Sequence, residues 1–201
     1  MAPLTAVVSA LCVLVSFTFA DVPQDVAPKL LEAGSFSAET HDIVHALVRR
    51  YTGHRFYDMY HGTSVQAAIS IIQTGFIPSK DGMLGRGVYV SRDIKKAQRY
   101  PMYLSPTDRV ILKVNVRVGK VKKIDRQGHP LQKTWHAHGY DTAWVPPNSG
   151  MVPSGLEENC VWDPKRVKVM DVVQAPPAAL GNLKSLLHQM KTYHCNWWLV
   201  C

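Results

Sequence analysis

The chain has 201 residues, of which 46% are apolar and 19% charged, and its formal net charge is +8. That mixture excludes wholesale disorder and supplies enough apolar side chains for one sizeable core. The positive balance suits an anionic partner such as a nucleotide, a nucleic acid or an acidic surface, without choosing among them.

No charged side chain occurs in residues 1–20. An apolar run from Leu4 to Phe19 ends in Thr18-Phe19-Ala20, with small residues where a signal peptidase inspects the chain. This reads as a secretory signal peptide cleaved before Asp21, giving a secreted chain with no stable membrane association. Two alternatives stand beside it. The run approaches the ~20 residues that span a bilayer, so it also suits an anchor, and it suits a buried helix. Cleavage would remove Cys12 and leave Cys160, Cys195 and Cys201. Three cysteines allow one disulfide and a free thiol, or no disulfide. Cys195 and Cys201 flank a Trp-rich tail and are the better candidates for a link, whereas Cys160 suits a buried small hydrophobe. The cysteines leave the compartment open, with the cytoplasm as the alternative.

Residues 21–54 form a Pro-containing lead and then a helix, capped by Thr40, with Ile43, Leu47, Val48 and Tyr51 on its inner side. A short aromatic strand follows from Phe56 to Tyr60, with His61, Gly62 and Thr63 at its junction with a second helix. Thr63 or Ser64 caps that helix, Val65, Ala68, Ile69 and Ile72 form its apolar face, and Gly75 ends it. Gly82, Gly85 and Gly87 punctuate a loop into a strand from Gly87 to Ser91. Asp93 caps a short helix that Pro101 stops. Tyr89 on the strand and Tyr100 at the end of the returning helix can face each other across a slot.

Arg109 to Val118 alternates cleanly, with Val110, Leu112, Val114, Val116 and Val118 on one side, and predicts a half-buried strand. Val121 to Ile124 extends or pairs with it after Gly119. Residues 126–156 read as long loops around a short strand near Thr142 to Val145. Glu158 to Trp162 and Arg166 to Val173 are strands broken at Asp163-Pro164, and Leu183, Leu186, Leu187 and Met190 mark a C-terminal helix within residues 176–201. The mixed order suits an α+β fold better than a doubly wound sheet.

The glycines do not form a dinucleotide fingerprint, because their spacing is G-x-x-G-x-G and a strand follows them where a helix is required. His129, His136 and His138 lack the cysteine or carboxylate spacing that would complete a metal site, so no metal is expected. Lys120, Lys122, Lys123 and Arg126 read as a solvated strand edge, with contact to phosphates as the alternative.

Three separated motifs stand out: His61-Gly62-Thr63, then Gly85-Arg86-Gly87-Val88-Tyr89 with Tyr100 eleven residues on, then Glu158-Asn159-Cys160-Val161-Trp162-Asp163. Together with Gly139-Tyr140-Asp141-Thr142 they resemble, in order and spacing, the motifs of ADP-ribosyltransferases of the diphtheria-toxin and poly(ADP-ribose) polymerase type. The likeness spans about residues 55 to 173 and extends to a virus-inducible, polymerase-like subfamily described in fish. It implies a catalytic domain over residues 55–175 with two packed mixed or antiparallel sheets and flanking helices. It implies NAD+ as the substrate, nicotinamide as the leaving group, and a protein or nucleic-acid acceptor.

By this resemblance His61, Tyr89 and Glu158 form the catalytic triad. His61, Gly62, Thr63, Tyr89 and Tyr100 bind NAD+, with Gly62 offering its backbone to the carboxamide. Two tyrosine faces suit a cationic nicotinamide ring, and a carboxylate suits the oxocarbenium charge that grows on the ribose. The chain departs from the family at Ala97, where a serine normally bonds the carboxamide. Glu157 neighbours Glu158, but successive strand residues face opposite ways, so only Glu158 enters the cleft and Glu157→Gln is expected to be nearly silent in turnover and NAD+ binding. Leu156 replaces the first acid of the Glu-x-Glu found in arginine-specific transferases. A catalytically silent NAD+-binding or ADP-ribose-binding module, and an RNA 2′-phosphotransferase-like enzyme, are the alternatives.

Overall fold

A computed structural model describes residues 56–197 of the chain. The signal segment, the lead and the Thr40 helix lie outside the described residues, and so does Cys201 of the suggested cysteine link.

Strand β1, Phe56–Thr63, does not stop at Tyr60 as expected but continues through His61, Gly62 and Thr63. The continuation has a partner to pair with. β3, Val110–Arg117, runs antiparallel to it, with His61 opposite Leu112 and Thr63 opposite Val110. Ser64 is the residue that caps helix α1, Val65–Thr74, its hydroxyl accepting from the Ala67 N–H at 3.2 Å. Of the expected apolar face, Ala68 and Ile72 are fully buried, and the helix ends at Gly75.

Beyond the glycine loop come β2, Val88–Val90, and α2, Ile94–Ala97, whose first turn is capped by the Asp93 carboxylate accepting from Lys95 N–H at 2.8 Å. β4, Val121–Lys123, does not extend β3. After the turn at Gly119 it joins the other sheet and pairs in parallel with β5, Thr142–Val145. β6, Glu158–Val161, and β7, Val167–Gln174, are separated by a turn in which Asp163 accepts from Lys165 N–H. Helix α3, Pro177–Trp197, closes the described chain.

The strands form two sheets, one ordered β1-β3-β7 and one ordered β2-β6-β5-β4. Every neighbouring pair is antiparallel except β4–β5. Two core clusters hold them. The first joins Met59, Leu112 and Val114 to Ala68 and Ile72 of α1 and to Leu183 and Leu187 of α3, and it takes Val90 and Val161 from the second sheet. The second lies on the other face of the four-stranded sheet, where Leu84, Ile124, Trp135, Val145 and Cys160 pack together. A fully buried Val or Leu contributes about 1.5–3 kcal/mol, so α3 is held by its apolar stripe rather than by intrinsic helix propensity.

This division sets the chemistry of β6. Cys160 faces the second cluster and Val161 the first, so the alternation of the strand sends Glu158 the same way as Cys160 and Asn159 the other. Among the described residues no helix is long and apolar enough to cross a membrane.

Candidate active site

Besides their packing in the first cluster, the two sheets are tied by a backbone bridge near the loop ends. Tyr60 of β1 and Ser91, just past β2, exchange backbone hydrogen bonds of 2.7 and 3.0 Å. That exchange turns the Tyr60 backbone away from β3. Two residues on, the Gly62 N–H and C=O face the same side, because strand backbone groups repeat their direction every second residue. They open on a cleft of about 420 Å³ that is lined by His61, Gly62, Tyr89, Tyr100 and Glu158. Thr63 is not among the lining residues; it is buried where β1 ends.

Gly62 is held here by close packing. A Cβ on it would overlap the Ala97 carbonyl oxygen and press on that of Tyr100. Glycine therefore lets α2 lie against β1, and it leaves the backbone polar groups at the cleft wall. Ala97 lines the cleft as well and offers no hydroxyl there.

His61 donates from Nδ1 to the Tyr89 carbonyl at 2.8 Å, which fixes the tautomer and leaves Nε2 as an acceptor. Phe76 meets the ring edge-on at 5.1 Å. Burial lowers the pKa of the imidazole below its ordinary value, and the Tyr89 hydrogen bond only partly offsets this.

Tyr89 is tied down from the other side. Its hydroxyl donates to the Gly85 carbonyl at 2.7 Å and accepts from Leu84 N–H at 3.0 Å. Gly82 passes so close that a Cβ would meet the phenol oxygen. Burial, followed by the neighbouring Cys160, pushes the phenol well above the ordinary tyrosine range, so it stays protonated. Tyr100 lines the same cleft and is 37% exposed; among the described residues no ring–ring contact joins it to Tyr89.

Lys96 is a residue of this cleft that the sequence analysis passes over. It is buried, with 5% exposure, and its Nζ lies 2.6 Å from Glu158 Oε2 and 5.5 Å from the centre of the Tyr100 ring. No local signal marks it, because α2 ends at Ala97 before Tyr100 and its charged partner Glu158 is far along the chain.

Glu157 and Glu158 diverge as strand alternation requires, and Glu157, turned away from the cleft, is buried in a network of its own. It is 5% exposed and accepts from the Arg92 backbone N–H at 2.8 Å, from the Arg92 guanidinium, and from Trp144 Nε1 at 3.0 Å. Burial alone would raise its carboxyl, yet these bonds, led by those of the Arg92 side chain, hold it below the ordinary carboxylate range. Arg92 in turn lies over the Trp144 and Tyr57 rings, at 5.7 and 5.8 Å. The two acids thus anchor the start of β6 on both faces.

Among the described residues no group of three His, Cys, Asp or Glu side chains is arranged to hold a metal ion. His136 is stacked on Trp162 instead, with centroids 3.9 Å apart.

The family model for the poly(ADP-ribose) polymerase catalytic domain matches residues 36–153 of this sequence, more than half of the chain. The chain belongs to that family. Poly(ADP-ribose) polymerase catalytic domains are NAD+-dependent ADP-ribosyltransferases, and the mixed α/β fold with two sheets agrees with the membership. The match takes in His61, Tyr89, Tyr100 and the Tyr140-Asp141 turn and ends before Glu158. A comparison with curated proteins returned no match.

Two outcomes follow from this geometry. Glu157→Gln puts an amide among four N–H donors and leaves Arg92 without its counter-charge. It is expected to cost about 1–3 kcal/mol and to lower Tm by several degrees in a thermal melt. A lowered histidine pKa means that the unfolded chain binds the proton more readily. The part of stability due to His61 is therefore present above about pH 6.5 and is lost as pH falls below it toward the folded-state value. Denaturation midpoints between pH 7.5 and pH 5.5 are expected to fall less steeply in His61→Gln than in the parent chain.

Proposed function

We propose that this chain is an active NAD+-dependent ADP-ribosyltransferase whose triad is His61, Tyr89 and Glu158, and that it transfers ADP-ribose to a macromolecular acceptor with release of nicotinamide. The observation that carries the reading is the convergence of a cleft-lining glycine, two tyrosines, a neutral imidazole and a strand-end carboxylate on one cleft. The fit to NAD+ rests on Gly62, whose close approach to Ala97 leaves a backbone donor and acceptor at the wall, the pair a carboxamide needs.

The roles follow from the chemistry of each group. Gly62 holds the carboxamide, and the Tyr89 and Tyr100 rings flank the cationic nicotinamide, each cation–π contact worth about 0.5–2 kcal/mol. His61 Nε2, free because Nδ1 is committed to Tyr89, accepts from a hydroxyl of the adenosine-side ribose. Glu158 faces the anomeric carbon as the bond to the nicotinamide nitrogen breaks. The electron pair leaves with neutral nicotinamide, and positive charge grows on the ribose. A carboxylate there stabilises the transition state more than the ground state and so raises the rate. The acceptor then forms its bond to the same carbon and gives up a proton. Lys96 holds the Glu158 carboxylate in one orientation, acting on the reaction through that residue.

A second reading, an NAD+-binding module without turnover, is favoured by Ala97, which removes one hydrogen bond to the carboxamide. One pair of measurements on the purified chain decides between them: nicotinamide release and NAD+ affinity. In Glu158→Gln, turnover is expected to fall about 10²–10³-fold, the scale of losing one electrostatic stabiliser, while NAD+ affinity stays within a few-fold. Lys96 loses its partner in this variant, so rates are compared below its measured Tm. A parent chain that binds NAD+ and releases no nicotinamide establishes the module instead. In Ala97→Ser the restored hydroxyl is expected to tighten NAD+ binding about five-fold, from one net hydrogen bond of about 1 kcal/mol. An unchanged dissociation constant would show that the carboxamide does not sit against Ala97.

A further inference from the structure

The far end of the four-stranded sheet carries cations and rings in an arrangement that the transferase chemistry does not use. Trp162 stands four residues beyond Glu158 on the same extended stretch, roughly 13 Å along it and facing the same side. The Arg86 guanidinium lies over the Trp162 ring at 4.6 Å, and His136 is stacked on that ring at 3.9 Å and 10°. His136 Nδ1 donates to the Tyr140 carbonyl at 3.1 Å, and the Tyr140 ring carries Lys120 Nζ at 4.7 Å and Lys122 Nζ at 5.7 Å. The face is therefore one connected surface of three cations and three rings.

Most basic residues nearby have their charge cancelled. Arg166 is paired with Asp141 at 2.7 Å and Lys123 with Asp125 at 2.9 Å. Arg86, Lys120 and Lys122 are different: among the described residues they rest on rings, with no carboxylate in ion-pair range. A ring positions a cation without neutralising it and leaves its N–H donors free. Three ordered charges remain, beside flat surfaces. Arg86 and Lys120 are exposed, and Trp162, Tyr140 and His136 are half-buried. Phosphates suit the first feature and nucleobases the second, since bases stack on aromatic rings and on guanidinium planes.

We propose that this face binds single-stranded nucleic acid, with its phosphates at Lys120 and Lys122 and a base stacked on the exposed guanidinium of Arg86. The net charge of +8 favours approach of such a partner, and a duplex, whose bases are already stacked, has less to offer the rings. The proposal does not rest on the transferase reading, and its test reads binding alone.

The experiment is fluorescence anisotropy of a short fluorescein-labelled oligothymidylate with the full chain across a salt series. Two lysines on the phosphates of a single strand predict a slope of log K against log[salt] of about −1.4. Lys120→Glu/Lys122→Glu is expected to weaken binding about ten-fold or more and to flatten the slope. A charge-matched control, Lys168→Glu/Lys184→Glu on β7 and α3, is expected to bind far more nearly as the parent does. Arg86→Lys keeps the charge but loses the plane, and is expected to cost several-fold in affinity. Absence of binding by the parent chain overturns the proposal, and so does equal weakening by the control pair. Parent-like binding by Arg86→Lys, with dextran sulfate competing charge for charge, overturns it in favour of a surface that takes any polyanion or an anionic membrane.

Discussion

The ion pair between Lys96 and Glu158 is the contact on which the cleft depends. Burying either charge alone would be costly, because water is withdrawn and nothing replaces it. With Nζ 2.6 Å from Oε2, each ion supplies the other's missing solvation. The requirement couples elements far apart in the chain. β6 must deliver a carboxylate at its first residue, and α2 must deliver an ammonium one residue before its end. Asp93 fixes the start of α2, and the contact between Gly62 and the Ala97 carbonyl fixes its distance from β1. Movement of any of these would leave a charge stranded.

Glu157 supplies the second half of the constraint. A lone carboxylate at a strand end could shift with the loop that precedes it. Here the preceding residue is locked to Arg92 and Trp144 on the opposite face, so the backbone between the two acids is held from both sides. Arg92 comes from the turn between β2 and α2, the same turn whose Ser91 hydroxyl donates to the Glu157 carbonyl at 3.1 Å. The segment that carries Tyr89 thus also secures the segment that carries Glu158. His61 completes the linkage by bonding the Tyr89 carbonyl, which joins all three members of the proposed triad through the backbone of β2.

Where side-chain periodicity is local, it was legible. The alternation of Val110 to Val118 marks β3, and Leu183, Leu186, Leu187 and Met190 mark α3. The end of β1 was not legible, because Gly62 interrupts the pattern there; the pairing with β3 carries the strand on through Thr63. Nor was the parallel pairing of β4 with β5, since nothing near Val121 signals a partner about twenty positions away. Of the residues a family motif names, His61, Gly62, Tyr89, Tyr100 and Glu158 come together in one cleft, while Thr63 stays outside it. Lys96 and the Arg92–Glu157–Trp144 network were not legible, because their meaning lies in contacts between residues far apart in sequence. Alternation correctly sent Glu157 away from the cleft. It could not say what waited on the other side.

The same strand keeps the cleft and the proposed nucleic-acid face apart. Along β6 and its extension, Glu158, Cys160 and Trp162 share a face but meet three environments. Glu158 sits in the cleft beside Lys96, and Trp162 lies under Arg86 at the rim. Between them Cys160 is completely buried, with burial pushing its thiol up to about 12. Leu84 and Trp135 pack around it, and the Trp135 indole donates to the Leu84 carbonyl at 2.7 Å. This apolar plug excludes water and mobile ions from the space between the two ends. The positive charges at the rim face solvent, where salt screens them over about 8–10 Å. Screening of that kind weakens their effect on the carboxylate at the other end of β6.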